Sequence, residues 1–206
     1  MTSIGDEYYF AFRPDVEEIP ILQADDKARA MKYRYHDLSA GGAPLRFANG
    51  FRAEFLAQGM KENITDILHD APFCLINADL HAELQQFPTR GLNLYPAVYI
   101  DNQNQYHENY WFTNFYQSQD IIDWDGSEFD VVEGETPEDN EYLFDRIRLA
   151  EDKLGAIPEP ERMLLHIKTL GYIIFHQHIV DFVERQGLSG INFFKVHEFE
   201  DGDQYV

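Results

Sequence analysis

Leu92-Asn93-Leu94-Tyr95-Pro96-Ala97-Val98-Tyr99-Ile100, followed by Asp101-Asn102-Gln103-Asn104 and then by Tyr106 to Tyr116, is the passage on which the fold turns. The first nine residues are apolar and rich in strand formers. The next four are turn chemistry, and the last run is aromatic. Together they predict a long antiparallel hairpin.

Working outward, Phe73 to Ile76 reads as a short apolar strand. Asn77 or Asp79 then caps a helix whose apolar face is Leu80, Leu84 and Phe87, ended by Pro88 and Gly91. Downstream, Met163 to Ile167 and Gly171 to Phe175 read as strands, and His178 to Gln186 as a helix with Ile179, Phe182 and Val183 on one face. Gly187 stops it, and Gly190 to Val196 forms the last strand. Leu75 to Tyr95 and Ile174 to Phe194 thus repeat one order of elements, though at this length chance accounts for it as well as duplication.

The rest is less patterned. Tyr8 to Phe12 opens with a strand stopped by Arg13-Pro14, and Asp25 to Leu38 holds helix formers with a weak apolar face. Ser39 to Pro44 is a break, Leu45 to Phe47 a short strand, Phe51, Phe55 and Leu56 a helical turn, and Ile64 to His69 a short helix. Ser127 to Val132 and Leu143 to Leu149 read as strands on either side of a short helical turn or loop at Thr136. The expected class is α+β, an antiparallel or mixed sheet with peripheral helices. The expected unit is one domain, 1–206, with a division into closely packed lobes 1–90 and 91–206 left open.

Charge is the outstanding feature of the composition. Sixteen Lys and Arg stand against 37 Asp and Glu, a net −21, in a chain 44% apolar and 15% aromatic. The apolar content excludes a disordered acidic tail as a description of the whole. The field repels phosphate backbones and anionic headgroups, so neither nucleic acid nor membrane is an expected partner, while encounter with a basic protein is accelerated. Solubility alone explains the charge about as well. Met1 to Phe10 lacks the basic start of a signal peptide, and no run approaches the ~18 apolar residues of a membrane span. The single cysteine, Cys74, lies in an apolar run and excludes a disulfide framework. The expected location is the cytoplasm.

From Gly91 to Asp145 there is no Lys or Arg. Within that window Asp120, Asp123, Asp125, Glu128, Asp130, Glu133, Glu135, Glu138, Asp139 and Glu141 crowd together, interleaved with Trp124, Phe129 and Tyr142. Carboxylates without counter-charges repel one another, and the aromatics offer apolar anchors, the composition of a protein-binding patch. An acidic solvated loop has the same composition. Asp123-Trp124-Asp125-Gly126-Ser127 invites a calcium reading, but placing Gly126 at the sixth position of an EF-hand loop puts Ile121 first and Val132 twelfth, and neither coordinates. His176 and His178 with a carboxylate sketch a metal-assisted hydrolase, without any established ligand spacing. No linear catalytic motif is present, so no catalytic residue, metal or cofactor is assigned.

Two passages carry a resemblance. One is Asp66-Ile67-Leu68, Pro72, Ile76-Asn77, Leu80 and Leu84, then Leu94-Tyr95-Pro96-Ala97-Val98-Tyr99-Ile100. The other is Tyr110-Trp111-Phe112-Thr113-Asn114, Ile121-Ile122-Asp123, and Gly187-Leu188-Ser189-Gly190-Ile191-Asn192-Phe193. Their order, over roughly 38–196, resembles a bacterial family of immunity proteins from polymorphic toxin systems, with Ser189 where threonine is more usual. The resemblance implies a binding protein, not an enzyme, that protects its producer by covering the active site of a cognate toxin delivered by contact-dependent or type VI secretion. It transfers no catalytic or contact residue. A cytosolic inhibitor implies a toxin that acts in the cytosol, and the charge adds the expectation that it is basic. An acidic adaptor or chaperone for a secreted protein is the third reading.

Overall fold

A computed structural model describes residues 3–34, 36–38, 41–70, 72–134, 136, 140–200 and 202–203. The expected hairpin is its centre. Strand β6 (Leu92–Ile100) runs antiparallel to β7 (Tyr106–Phe115), in register from Leu92 opposite Phe115 to Ile100 opposite Tyr106, with one shift between Ala97 and Tyr99. The turn closes on the Asp101 carboxylate, whose Oδ1 accepts from the backbone N–H of Gln103 and Gln105 at 2.8 Å each.

The other strands before the hairpin are β1 (Tyr8–Phe12), β2 (Leu22–Ala24), β3 (Leu45–Asn49), β4 (Ile67–Asp70) and β5 (Phe73–Asn77). They are joined by helices α1 (Asp26–Ala30) and α2 (Arg52–Gln58), and β5 leads into α3 (Ala78–Leu84). After the hairpin come β8 (Glu128–Val132), β9 (Glu141–Arg146), α4 (Glu151–Gly155), β10 (Leu164–His166), β11 (Ile173–His176), α5 (Gln177–Gln186) and β12 (Asn192–Lys195). The architecture is α+β. A six-stranded sheet has the order β2-β3-β6-β7-β5-β4, parallel only between β3 and β6. A four-stranded antiparallel sheet has the order β10-β11-β1-β12, and β8 with β9 form a separate ribbon.

The six-stranded sheet takes strands from both sides of residue 90, so lobes divided at 90/91 would cut through it. The layers follow the sheets instead. The four-stranded sheet is buried on both faces, because alternate residues point opposite ways along a strand. Phe175 and Ile173 face a core shared with the six-stranded sheet, α3 and α5. Tyr8, Phe10, Leu165 and Ile174 face a second core closed by Ile121, Ile122, Ile147, Leu149, Leu154 and Phe199.

The repeated order of elements is a repeated topology. In the first unit β4-β5-α3-β6, strands β5 and β6 both run antiparallel to β7, which lies between them. In the second, β10-β11-α5-β12, strands β11 and β12 both run antiparallel to β1 between them. Each helix starts directly after its strand on a capping side chain. Asn77 Oδ1 accepts from Leu80 N at 3.0 Å, and His176 Nδ1 accepts from His178 N at 3.1 Å. Leu80, Leu84, Ile179, Phe182 and Val183 are buried, and Phe87 packs half-buried against them.

Two elements differ from the sequence reading. Residues 64–69 do not form a helix. Ile67 to Asp70 are buried as strand β4, flanked by β5 and by the loop after α5, whose Ser189 carbonyl accepts from Ile67 N at 3.0 Å. A short segment buried on both faces, here Ile67-Leu68-His69-Asp70, carries no period that separates strand from helix. That loop approaches closely only because Gly190 sits at φ +93°; a Cβ there would lie 2.2 Å from the Ile67 carbonyl oxygen. Of the helix formers between Asp25 and Leu38, the helix takes Asp26–Ala30. Beyond it Lys32 takes a left-handed φ of 50°, and the segment is held by buried Asn114, whose amide donates to the Tyr33 and His36 carbonyls while its Oδ1 accepts from Leu38 N.

Candidate functional site

The acidic stretch starts on a rigid base. Ile121 and Ile122 are buried in the second core, and Asp123 N donates to the Arg148 carbonyl at 2.9 Å. Asp123 then turns the chain: its Oδ1 accepts from Gly126 N at 3.1 Å, and its carbonyl accepts from Ser127 Oγ at 2.6 Å. A Cβ at Gly126 would meet the same carboxylate at 2.4 Å. Asp123 is therefore a turn residue, half-buried and occupied, whereas Asp120 and Asp125 are exposed.

The ribbon follows. Phe129 lies opposite Phe144, Asp130 opposite Leu143, Val131 opposite Tyr142 and Val132 opposite Glu141. Period-two alternation puts Phe129, Tyr142 and Phe144 on one face with Trp124, at ring separations of 4.9 to 5.8 Å between Trp124 and the other three. The aromatics read from the sequence as partner anchors thus spend much of their surface on one another, as the ribbon's own small core. The opposite face carries Asp130, Val132, Glu141 and Leu143, all exposed. Its apolar contribution, Val132 at 48% and Leu143 at 58% exposure, with Val131 at 45% on the other side, went unread in the sequence. Alternation within each strand carries that signal, but only the cross-strand register assembles it into one face.

Counter-charges come from outside the cation-free window. Arg146 lies 3.3 Å from Glu128, and Lys153 lies 3.3 Å from Asp120. Such exposed pairs contribute little stability. Glu133 is exposed at the ribbon's end, near the link from Gly134 N to Asn140 Oδ1 at 3.0 Å. Glu135, Glu138 and Asp139 lie outside the described residues. The structure gathers Glu128, Phe129, Asp130, Glu141 and Trp124 in one element, packed against the second core through Trp124 and Phe144, and leaves Asp120 exposed before it.

The histidine pair diverges. His176 points inward, its Nε2 3.3 Å from Glu7 Oε2 but off the hydrogen-bond direction, and burial pushes its pKa down despite that carboxylate. His178 reaches outward to Glu83 Oε1 on α3 at 2.9 Å. Among the described residues no three His, Cys, Asp or Glu side chains are placed to share a metal ion, and no helix is long and apolar enough to cross a membrane. Cys74 is buried against Thr113, and burial raises its thiol to about 12, far from thiolate chemistry at neutral pH.

No protein-family model matches the chain, and no curated protein is significantly similar to it.

Proposed function

We propose that the chain is an immunity protein that binds and neutralises a cognate, basic, cytosol-acting bacterial toxin by covering its active site, with the β8–β9 ribbon as its docking element. The observation that carries this reading is the ribbon's outer face: exposed Val132 and Leu143 flanked by Asp130 and Glu141, in a window without a lysine or arginine from Gly91 to Asp145. Apolar residues ringed by carboxylates match a basic partner with an apolar centre, the apolar part setting residence time and the charges setting the encounter rate. The net charge of −21 adds long-range attraction to the same partner. The resemblance noted in the sequence supports inhibition over adaptor work.

The test is binding kinetics against the cognate toxin, at two salt concentrations, with growth protection in parallel. Asp130→Asn with Glu141→Gln should slow association at low salt about tenfold and lose that difference at high salt. Leu143→Ala should mainly speed dissociation. Wild-type kinetics in both variants would move the interface off the ribbon. Binding without protection of a cell already making active toxin would favour the adaptor.

A further inference from the structure

A cleft of about 360 Å³ opens between the two sheets, and no ribbon residue lines it. Phe12 and Arg13 at the exit of β1, Tyr172 before β11, Ile21 and His69 of β4 are among the residues that line it. Phe12 and Tyr172 meet edge to face at 5.6 Å between centroids. Apolar walls with a few convergent polar groups in a space of this size are the usual form of a small-molecule site.

Both polar groups are set in place by backbone atoms. His69 Nε2 lies 2.9 Å from the Gly190 carbonyl oxygen, which only accepts, so Nε2 carries the proton and Nδ1 is a bare acceptor. No hydrogen bond to Nδ1 occurs among the described residues. The close approach of Gly190 to β4 makes this possible, so the Gly187-Leu188-Ser189-Gly190 passage has a definite task here. Burial first, then the Arg13 charge, hold His69 down at about 4 against the opposing pull of the Gly190 carbonyl, so the ring is neutral at pH 7. Arg13 is steadied by Nη1, which donates to the Val16 and Ile19 carbonyls at 3.0 and 3.1 Å. It forms no ion pair among the described residues, although Asp15 also lines the cleft.

We propose that this cleft binds a small organic monoacid with a flat apolar body and one hydrogen-bond donor. The carboxylate sits beside Arg13, the body lies against Phe12 and Tyr172, and the donor reaches His69 Nδ1. One guanidinium matches one carboxylate. A polyphosphate is excluded because, among the described residues, the only cation lining the cleft is Arg13, in a chain of net −21. An apolar ligand without a donor would leave Nδ1 unsatisfied, which the site penalises.

The probe is indole-3-acetate, which has all three features. Its comparators are 1-naphthaleneacetate, lacking the N–H, and indole-3-ethanol, lacking the carboxylate. Titration calorimetry and the imidazole ¹⁵N signals of His69 are the readouts. Indole-3-acetate should bind saturably at one site and move the Nδ1 signal, and each comparator should bind about tenfold more weakly or worse. Arg13→Gln should bring the acid down to the level of the alcohol. Ala11→Leu, which adds bulk at a residue lining the cleft and replaces neither polar group, should abolish binding while leaving the far-ultraviolet circular dichroism unchanged. The proposal is overturned if no probe saturates at millimolar concentration, if acid and alcohol bind alike, or if a folded Ala11→Leu variant still binds.

Discussion

The two units built around α3 and α5 have the same connectivity and the same sheet order, but they obtain their central strand in different ways. The first takes β7, its sequence neighbour, through a turn closed by Asp101. The second takes β1, which lies more than 150 residues away in sequence. A hairpin sets its own register through its turn. A strand arriving from far away has only its side chains, and here Tyr8 and Phe10, both fully buried, lock β1 between β11 and β12. The capping residues differ as well. Asn77 is an amide and caps at any pH, and it also donates to Asp66 at 3.0 Å. His176 caps only while its Nδ1 is unprotonated. Identical topology therefore coexists with different dependence on sequence distance and on protons.

Removing residues 1–12 should break this comparison most severely. Strands β11 and β12 would lose the partner that joins them, and the second unit should lose its cooperative transition while the first keeps protected amides in β6 and β7. Hydrogen exchange reads this directly, and protected β11 amides in the truncated chain would contradict it. Next in size, Leu80→Ala and Ile179→Ala remove fully buried side chains from matching positions of α3 and α5, each in the first turn after the capping residue. Each should cost about 2–5 kcal/mol, seen as a lowered urea midpoint with an unchanged slope. A markedly smaller loss at one site would show that unit to be the looser.

The pH dependence sharpens the contrast further. His69 has its folded pKa depressed from 6.5 to about 4, so between those values the unfolded chain takes up a proton that the native chain refuses. Stability is full above pH 6.5 and falls as pH drops towards 4, by about 3 kcal/mol from His69, each pKa unit being worth about 1.4 kcal/mol. His176 is shifted in the same direction by burial and adds to the fall. Asn77→Ala should cost about 1–2 kcal/mol equally at pH 7.5 and 5. His176→Asn should change stability least at pH 7.5 and flatten the decline below 6.5. Thermal melts across that range measure both, and an unchanged slope in His176→Asn would remove the proton from the account of this cap.

The hairpin, α3 and α5 were legible because each is written in contiguous residues: a turn cluster between apolar runs, or an aliphatic stripe after a capping residue. The repeated order was visible too, although only the intervening strands β7 and β1 turn it into a shared topology. Strand β4 was not legible, since burial on both faces erases periodicity and Gly190, which covers it, lies far along the chain. In the acidic stretch the charges could be read but the roles could not. Asp123 closes a turn, Trp124 and Phe129 pack into the ribbon, and the exposed apolar residues are Val131, Val132 and Leu143. Arg13, His69 and Tyr172 carry no linear signal, because they meet only when the two sheets do.

The position of β1 also governs how the chain is made. Tyr8-Tyr9-Phe10-Ala11-Phe12 leaves the ribosome before either of its partners, Ile174–His176 and Asn192–Lys195, the first of which follows after roughly 160 further residues, about 10–30 s of synthesis at ordinary elongation rates. Through that interval an uncharged, aromatic five-residue segment of high strand propensity waits without a ladder, the kind of segment that recruits holdase chaperones or other nascent chains. The hairpin and its neighbours through Phe115 can close long before. A chain refolding from denaturant has all its strands present at once and avoids the wait. Soluble yield in the cell should therefore respond to temperature and chaperone supply far more than refolding yield in the tube.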